Sequence, residues 1–195
     1  MSTMENQRGR VHLLSLVSEE QLKKILAAMW DKNEFRSPFG LRSLSKHHKE
    51  HPYSFAGSDV EYEPAETKMF LKGGNSNWRG PLWFPTSFLM IESLRKLARA
   101  YEDNIQVKSQ ADQASATLMD MARGYADGMI SMFAKDANGR RPIFGNREIM
   151  RSDPHWRDNL LFHEYFNAET GEGLGACHQT GWSGLVASLI DEWRR

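Results

Sequence analysis

The residues able to do chemistry in this sequence are concentrated in three segments. The densest runs Gly73-Gly74-Asn75-Ser76-Asn77-Trp78-Arg79-Gly80-Pro81-Leu82-Trp83-Phe84-Pro85. Its glycines allow close backbone approach, its amides and guanidinium can donate to hydroxyl or carboxylate oxygens, and its indoles can stack on the apolar face of a sugar. A turn that merely anchors a helix N-terminus would use similar residues, so the segment alone divides evenly between the two roles. The second segment, Asn159 to Gly175, centres on Glu164, one carboxylate set among Phe162, His163, Tyr165 and Phe166. An acid held among aromatic rings tends toward a raised pKa, which a general acid or base needs. An N-cap or a structural ion pair is the ordinary alternative for such a glutamate. Glu169 and Glu172 follow in a Gly-rich turn and should be solvated.

The third segment is Cys177-His178-Gln179-Thr180-Gly181-Trp182-Ser183-Gly184, a polar turn entering an apolar helix. Adjacency does not make Cys177 and His178 a catalytic pair, because such partners meet through the fold, and a cysteine hydrolase is rejected. His47, His48 and His51 lack a Cys or a well-spaced acid to complete a metal ligand set. They read as solvated histidines in a Lys-rich loop, and no metal or other cofactor is expected.

Helices must position these segments. Ser18 followed by Glu19, Glu20 and Gln21 starts a helix with a capping box, continued by Leu22, Ile25, Leu26, Met29 and Trp30 at helical spacing. From Asp31 to Trp83 prolines and glycines punctuate every few residues, while Phe35, Phe39, Tyr53, Phe55, Tyr62 and Trp78 argue against disorder. That stretch is expected to be an ordered, site-forming excursion. Pro85 and Thr86 open a second helix with a stripe of Phe88, Leu89, Ile91, Leu94, Leu97, Ala98 and Tyr101. A third helix is expected from about Gln110 to Ala134, with Leu118, Met121, Ala122, Tyr125, Met129, Ile130 and Phe133 on one side and Gly124 and Gly128 as small contacts. Residues Arg140 to Thr180 read as irregular, with a short helix around Trp156 to Tyr165, and Leu185 to Trp193 closes the chain as a last helix. The expected class is all-α, with short hairpins at most and long loops carrying the unusual residues.

Composition narrows the partners. The 195 residues carry 25 Lys plus Arg against 25 Asp plus Glu, so no net field gathers phosphate backbones or anionic lipids. Nucleic acid and membrane are therefore not expected as partners. No run approaches the roughly 18 to 20 apolar residues that span a bilayer, and the start MSTMENQRGR lacks a signal-peptide core. With a single cysteine, Cys177, the chain reads as soluble and cytoplasmic. Six Trp and five Tyr exceed ordinary use, and surplus aromatics often line sites for flat amphipathic ligands such as sugars.

Taken together, six ordered segments resemble the C-terminal part of bacterial glucosidases related to glycoside hydrolase family 63 and to mannosylglycerate hydrolases. They are Glu34 to Ser45, Tyr62 to Glu66, Gly73 to Pro85, Ser152 to Asp158, Phe162 to Phe166 and His178 to Trp182, and the likeness runs from about Arg8 to Ile190. The resemblance implies a six-hairpin α/α toroid with the active site in loops at one end, and inverting hydrolysis of an α-linked glucoside or related small glycoside. In inverting enzymes two carboxylates stand roughly 6.5 to 9.5 Å apart, one protonating the leaving oxygen and one activating water. Glu164 matches the family's general base, while the general acid is an Asp upstream of the region covered, matched by no residue of this chain. Asn77, Trp78, Arg79, Trp83, His178, Gln179 and Trp182 are the expected substrate-binding residues. Lys68 to Lys72 depart from the family by forming a longer, more basic link.

Residues 1 to 195 are thus expected to be one part of a toroid, a fragment whose N-terminal half is the missing partner and whose substrate is a small carbohydrate. Four or five helices cannot close a ring of twelve, which would leave apolar helix faces uncovered. The competing expectation is a catalytically inactive carbohydrate-binding or interaction remnant. Glu66 and Asp153 are the loop carboxylates that would have to act as the acid if this chain worked alone.

Overall fold

The computed structural model describes residues 2–6, 9–13, 15–68 and 77–194. Residues 73–76 of the Gly-rich segment and 69–72 of the basic link lie outside the described residues. Strands β1 (Ser2–Asn6) and β2 (Gly9–Leu13) pair antiparallel, and helix α1 spans Glu19–Trp30. The capping box forms: the Gln21 amide donates to Ser18 Oγ at 3.3 Å and the Ser18 amide to Gln21 Oε1 at 2.8 Å. Two small hairpins follow, β3–β4 (Arg36–Ser37, Gly40–Leu41) and β5–β6 (Tyr53–Phe55, Ser58–Val60). With a 3-10 turn at Lys46–Lys49 between them, they lie within the long Pro- and Gly-punctuated excursion.

Helix α2 (Phe84–Ala100) and helix α3 (Leu118–Phe133) pack together and form the core with α5 (Val186–Trp193). The α3 residues expected on one side are all buried, and Tyr125 donates its hydroxyl to the Met29 carbonyl while meeting Trp30 edge-on at 5.4 Å. Gly124 and Gly128 are close contacts, as their positions imply. A Cβ on Gly124 would stand 2.5 Å from the Trp30 ring, and one on Gly128 would stand 2.8 Å from the Pro38 carbonyl oxygen.

Two expectations need correction. The third helix starts at Leu118, not near Gln110, because Gln106–Lys108 (β7) pairs with Ser115–Thr117 (β8) and Thr117 caps the helix through Asp120. No helix runs from Trp156 to Tyr165. Phe162 instead exchanges backbone hydrogen bonds with Cys177 and Gln179, and Phe166 with Leu82, so both rings are placed by extended pairing. The stretch holds a 3-10 turn at Pro142–Phe144 and the short helix α4 (Ile149–Ser152), followed after an irregular stretch by β9 (Tyr165–Phe166) and β10 (Gly173–Leu174). The chain is helix-rich, and its sheets among the described residues are five two-stranded antiparallel pairs, the short hairpins that the expected class allowed. No helix among the described residues is long and apolar enough to cross a membrane.

Candidate active site

Isolated bridges join Arg42 to Leu82 and Leu82 to Phe166, so three distant chain segments lie side by side just before α2. This seam brings the Trp78–Trp83 turn against the Glu164 segment. Trp83 is 6% exposed and donates its indole N–H to the Asn77 carbonyl at 3.0 Å. Its ring stacks on Trp78 at 4.1 Å with a 2° interplanar angle, lies 5.1 Å from Tyr165, and meets Trp182 edge-on at 6.4 Å. Trp78 keeps 41% of its surface exposed, so its outer face is open as a stacking platform.

Glu164 sits at the edge of this aromatic group, half-buried. Its amide donates to the Ala176 carbonyl at 2.8 Å, its Oε2 accepts from the Ala176 amide at 3.3 Å, and its carbonyl accepts from Trp182 Nε1 at 3.0 Å. Gly175 makes this approach possible. At φ +66 it occupies the left-handed region, and a Cβ there would stand 2.8 Å from Glu164 Oε2 and 2.6 Å from Tyr165 Cε1.

Tyr165 reports the charge around it. Burial pushes its hydroxyl up to about 12, the carboxylates of Glu66 and Glu164 add to the rise, and a hydrogen bond with the Asn77 side chain opposes it. Both carboxylates therefore act on one phenol, which composition and spacing do not single out. Asp153, by contrast, accepts from the His155 amide at 2.8 Å in its own turn.

The structure thus brings Asn77, Trp78, Trp83, Glu164 and Trp182 together, with Gln179 tied to the Phe162 carbonyl through its amide at 2.8 Å and exposed His178 bridged to Phe162. Arg79 is placed elsewhere. It is 5% exposed, pairs with Glu63 at 2.6 Å and reaches Thr67, so its guanidinium braces the turn from behind.

A second buried network was not legible as such in the sequence. Arg42 pairs with Glu169 at 2.9 Å and donates to the Tyr62 hydroxyl at 3.0 Å and to the carbonyls of Lys32, Glu34 and Arg36. Tyr62 donates to Glu169 at 2.7 Å and Lys46 binds its other oxygen at 3.1 Å. Burial raises the Glu169 carboxyl, but the Tyr62 hydroxyl, Arg42 and Lys46 outweigh it and leave the pKa below the ordinary value. Burial likewise pushes the Tyr62 hydroxyl up. Glu169 is therefore not the freely solvated turn residue expected, because the turn between β9 and β10 folds onto Arg42. Nor is Glu172, whose side chain packs over Gly145 and would lie 2.3 Å from a Cβ there. The usable signal was Arg42 itself, an arginine in an otherwise apolar and small-residue run.

The chain is 44% identical over 94% of its length to an uncharacterized protein of Saccharomyces cerevisiae, covering 18% of that protein. It is 24% identical over 88% of its length to a probable mannosyl-oligosaccharide glucosidase of Schizosaccharomyces pombe, and 22% identical over 87% to the mannosyl-oligosaccharide glucosidase of Saccharomyces cerevisiae, covering 15% of each. The chain spans less than a fifth of the length of these curated relatives. The family model for the mannosylglycerate hydrolase MGH1-like glycoside hydrolase domain matches residues 11–183, which contain the Trp78–Trp83 turn, Glu164 and Trp182, and the chain belongs to that family.

Proposed function

We propose that this chain supplies the general base and part of the sugar subsite of an inverting glycoside hydrolase acting on α-linked glucosides or related small glycosides. One observation carries the reading: the Glu164 carboxylate is held by a glycine turn at the rim of a wall made by Trp78, Trp83, Tyr165 and Trp182. A pyranose resting against the indoles has its apolar face covered, which leaves its anomeric carbon open to a water held by Glu164. Glu164 takes one proton from that water as its oxygen attacks the anomeric carbon. The glycosidic C–O bond breaks on the opposite face, and a second carboxyl gives the departing oxygen its proton.

That second group is expected outside these 195 residues, in the rest of a six-hairpin toroid of which these helices are one part. The exposed Leu89 on α2 and Ile190 on α5 fit faces that neighbouring helices would cover. A carbohydrate-binding remnant without turnover is the second reading. It is favoured by the lack of any residue in this chain that matches the family's general acid.

The test is hydrolysis of an aryl α-glucoside by the 195-residue chain alone and by a longer protein that supplies the remainder of the ring. Turnover only in the longer protein, with the released sugar appearing first as the inverted anomer, supports the first reading. Absence of turnover in both, with sugar binding retained, supports the second. Retention of configuration would sink the inverting mechanism.

A further inference from the structure

We infer that the cleft at the C-terminal end of α1 is a binding site for a small molecule carrying a phosphate group. The cleft encloses about 510 Å³ and shares no lining residue with the aromatic wall around Glu164. Lys32, Arg36, Arg42 and Lys46 line it, with Glu169 as the one carboxylate and Trp30 as its flat apolar wall. Four cations against one anion leave a surplus of three positive charges in a chain whose formal charge is zero. Counting Asp112, which pairs with Arg36 at 2.9 Å, the surplus is still two. A phosphate monoester carries close to two negative charges at neutral pH, which matches that surplus.

The four cations are not equally available. The donors of Arg42 are engaged by Tyr62, Glu169 and three backbone carbonyls, so it contributes charge and fixes the floor. Lys46 uses one donor on Glu169 and keeps two. Arg36 lies over the Trp30 ring at 4.3 Å and spends one nitrogen on Asp112, which leaves the rest of its planar fork for oxyanion contacts. Lys32 is exposed and makes no ion pair among the described residues. Trp30 and the remaining volume suit the organic part of a phosphate ester. This inference stands independently of the role proposed for Glu164.

Equilibrium dialysis of the 195-residue chain against radiolabelled inorganic phosphate at low ionic strength tests it, since dialysis reads binding whatever the oligomeric state. Saturable binding at one site per chain is expected. Lys32→Glu should weaken it by about tenfold or more, the worth of one charge-assisted hydrogen bond. Lys32 makes no ion pair, so the variant keeps its fold, and Lys96→Glu, an equal charge change on the exposed face of α2, should leave affinity unchanged. Absence of saturable binding, or an equal loss in both variants, would overturn the inference.

Discussion

Acidification from pH 7 to pH 4 should remove about 3 kcal/mol of folding stability through one side chain, His163. Its ring is 2% exposed, meets Phe166 at 6.4 Å and lies against the Gly173 backbone, where a Cβ would stand 2.1 Å from Cδ2. Burial first, and the nearby Arg147 guanidinium second, push its pKa from 6.5 down to about 4, against a smaller pull from the Leu174 backbone. Because the folded value lies below the unfolded one, the unfolded chain takes up a proton between pH 6.5 and 4 that the native state refuses. The stability is complete above pH 6.5 and is lost as the pH falls toward 4. The gap of 6.5 minus 4, at about 1.4 kcal/mol per pKa unit, gives a limit of about 3.5 kcal/mol, of which about 3 is lost by pH 4, where the folded ring is half protonated. For a domain of this size that is a fall of roughly 6 to 12 °C in melting temperature. Thermal melts followed by circular dichroism at pH 7, 6, 5 and 4.5 measure it, with His163→Leu as the comparison. The leucine variant should match or exceed the parent at pH 7, since it removes a buried polar ring, and should lose little on acidification to pH 4.5. Parallel slopes in the two proteins would refute the reasoning.

Three further perturbations follow from the packing. Glu169→Gln removes the charge facing buried Arg42 and should lower stability by about 1 kcal/mol, below the roughly 1.5 to 3 kcal/mol of a hydrogen bond to a charged group because Glu169 is one-third exposed. Its folded pKa lies below the ordinary 4.5, so its contribution is present above that pH and is lost as the pH falls through the folded value, and the variant should lose that part of the acid limb of a pH–melting curve. Gly124→Ala should cost about 1 to 3 kcal/mol in a denaturant titration, because its Cβ meets the Trp30 ring, whereas Gly181→Ala, with open space around it, should be nearly neutral. Arg79→Ala strips the cationic partner from Glu63, whose side chain is 12% exposed, and should cost about 3 kcal/mol, seen as a large drop in melting temperature.

The helices were legible where sequence carries local information. The Ser18–Gln21 capping box and the apolar period of α3 depend on residues three or four apart, and both form as the spacing implies. The β7–β8 hairpin was not legible, because Gln113 at its turn adopts φ +56, a conformation that no glycine announced. Extended pairing of Phe162 and Phe166 was hidden for a different reason. Their partners, Cys177, Gln179 and Leu82, lie up to 84 residues away, and aromatic residues at helical spacing look alike whether a helix or a seam buries them. At the site, the aromatic types and Glu164 stood out in the sequence. The division of labour did not: that Arg79 faces Glu63 while Tyr165 joins the wall depends on which side of each turn is buried. The Arg42–Glu169 pair, 127 residues apart, is a contact that only the fold creates.

The most direct test of the central claim is the turnover of an aryl α-glucoside by a catalytically competent protein containing this chain, with Glu164 intact and with Glu164→Gln. Glutamine keeps the shape and the acceptor oxygen available to the Ala176 amide but cannot accept the proton of the attacking water. The account predicts a fall in kcat of about 10²- to 10⁴-fold with an unchanged melting temperature. A variant that retains near-parental kcat would contradict it.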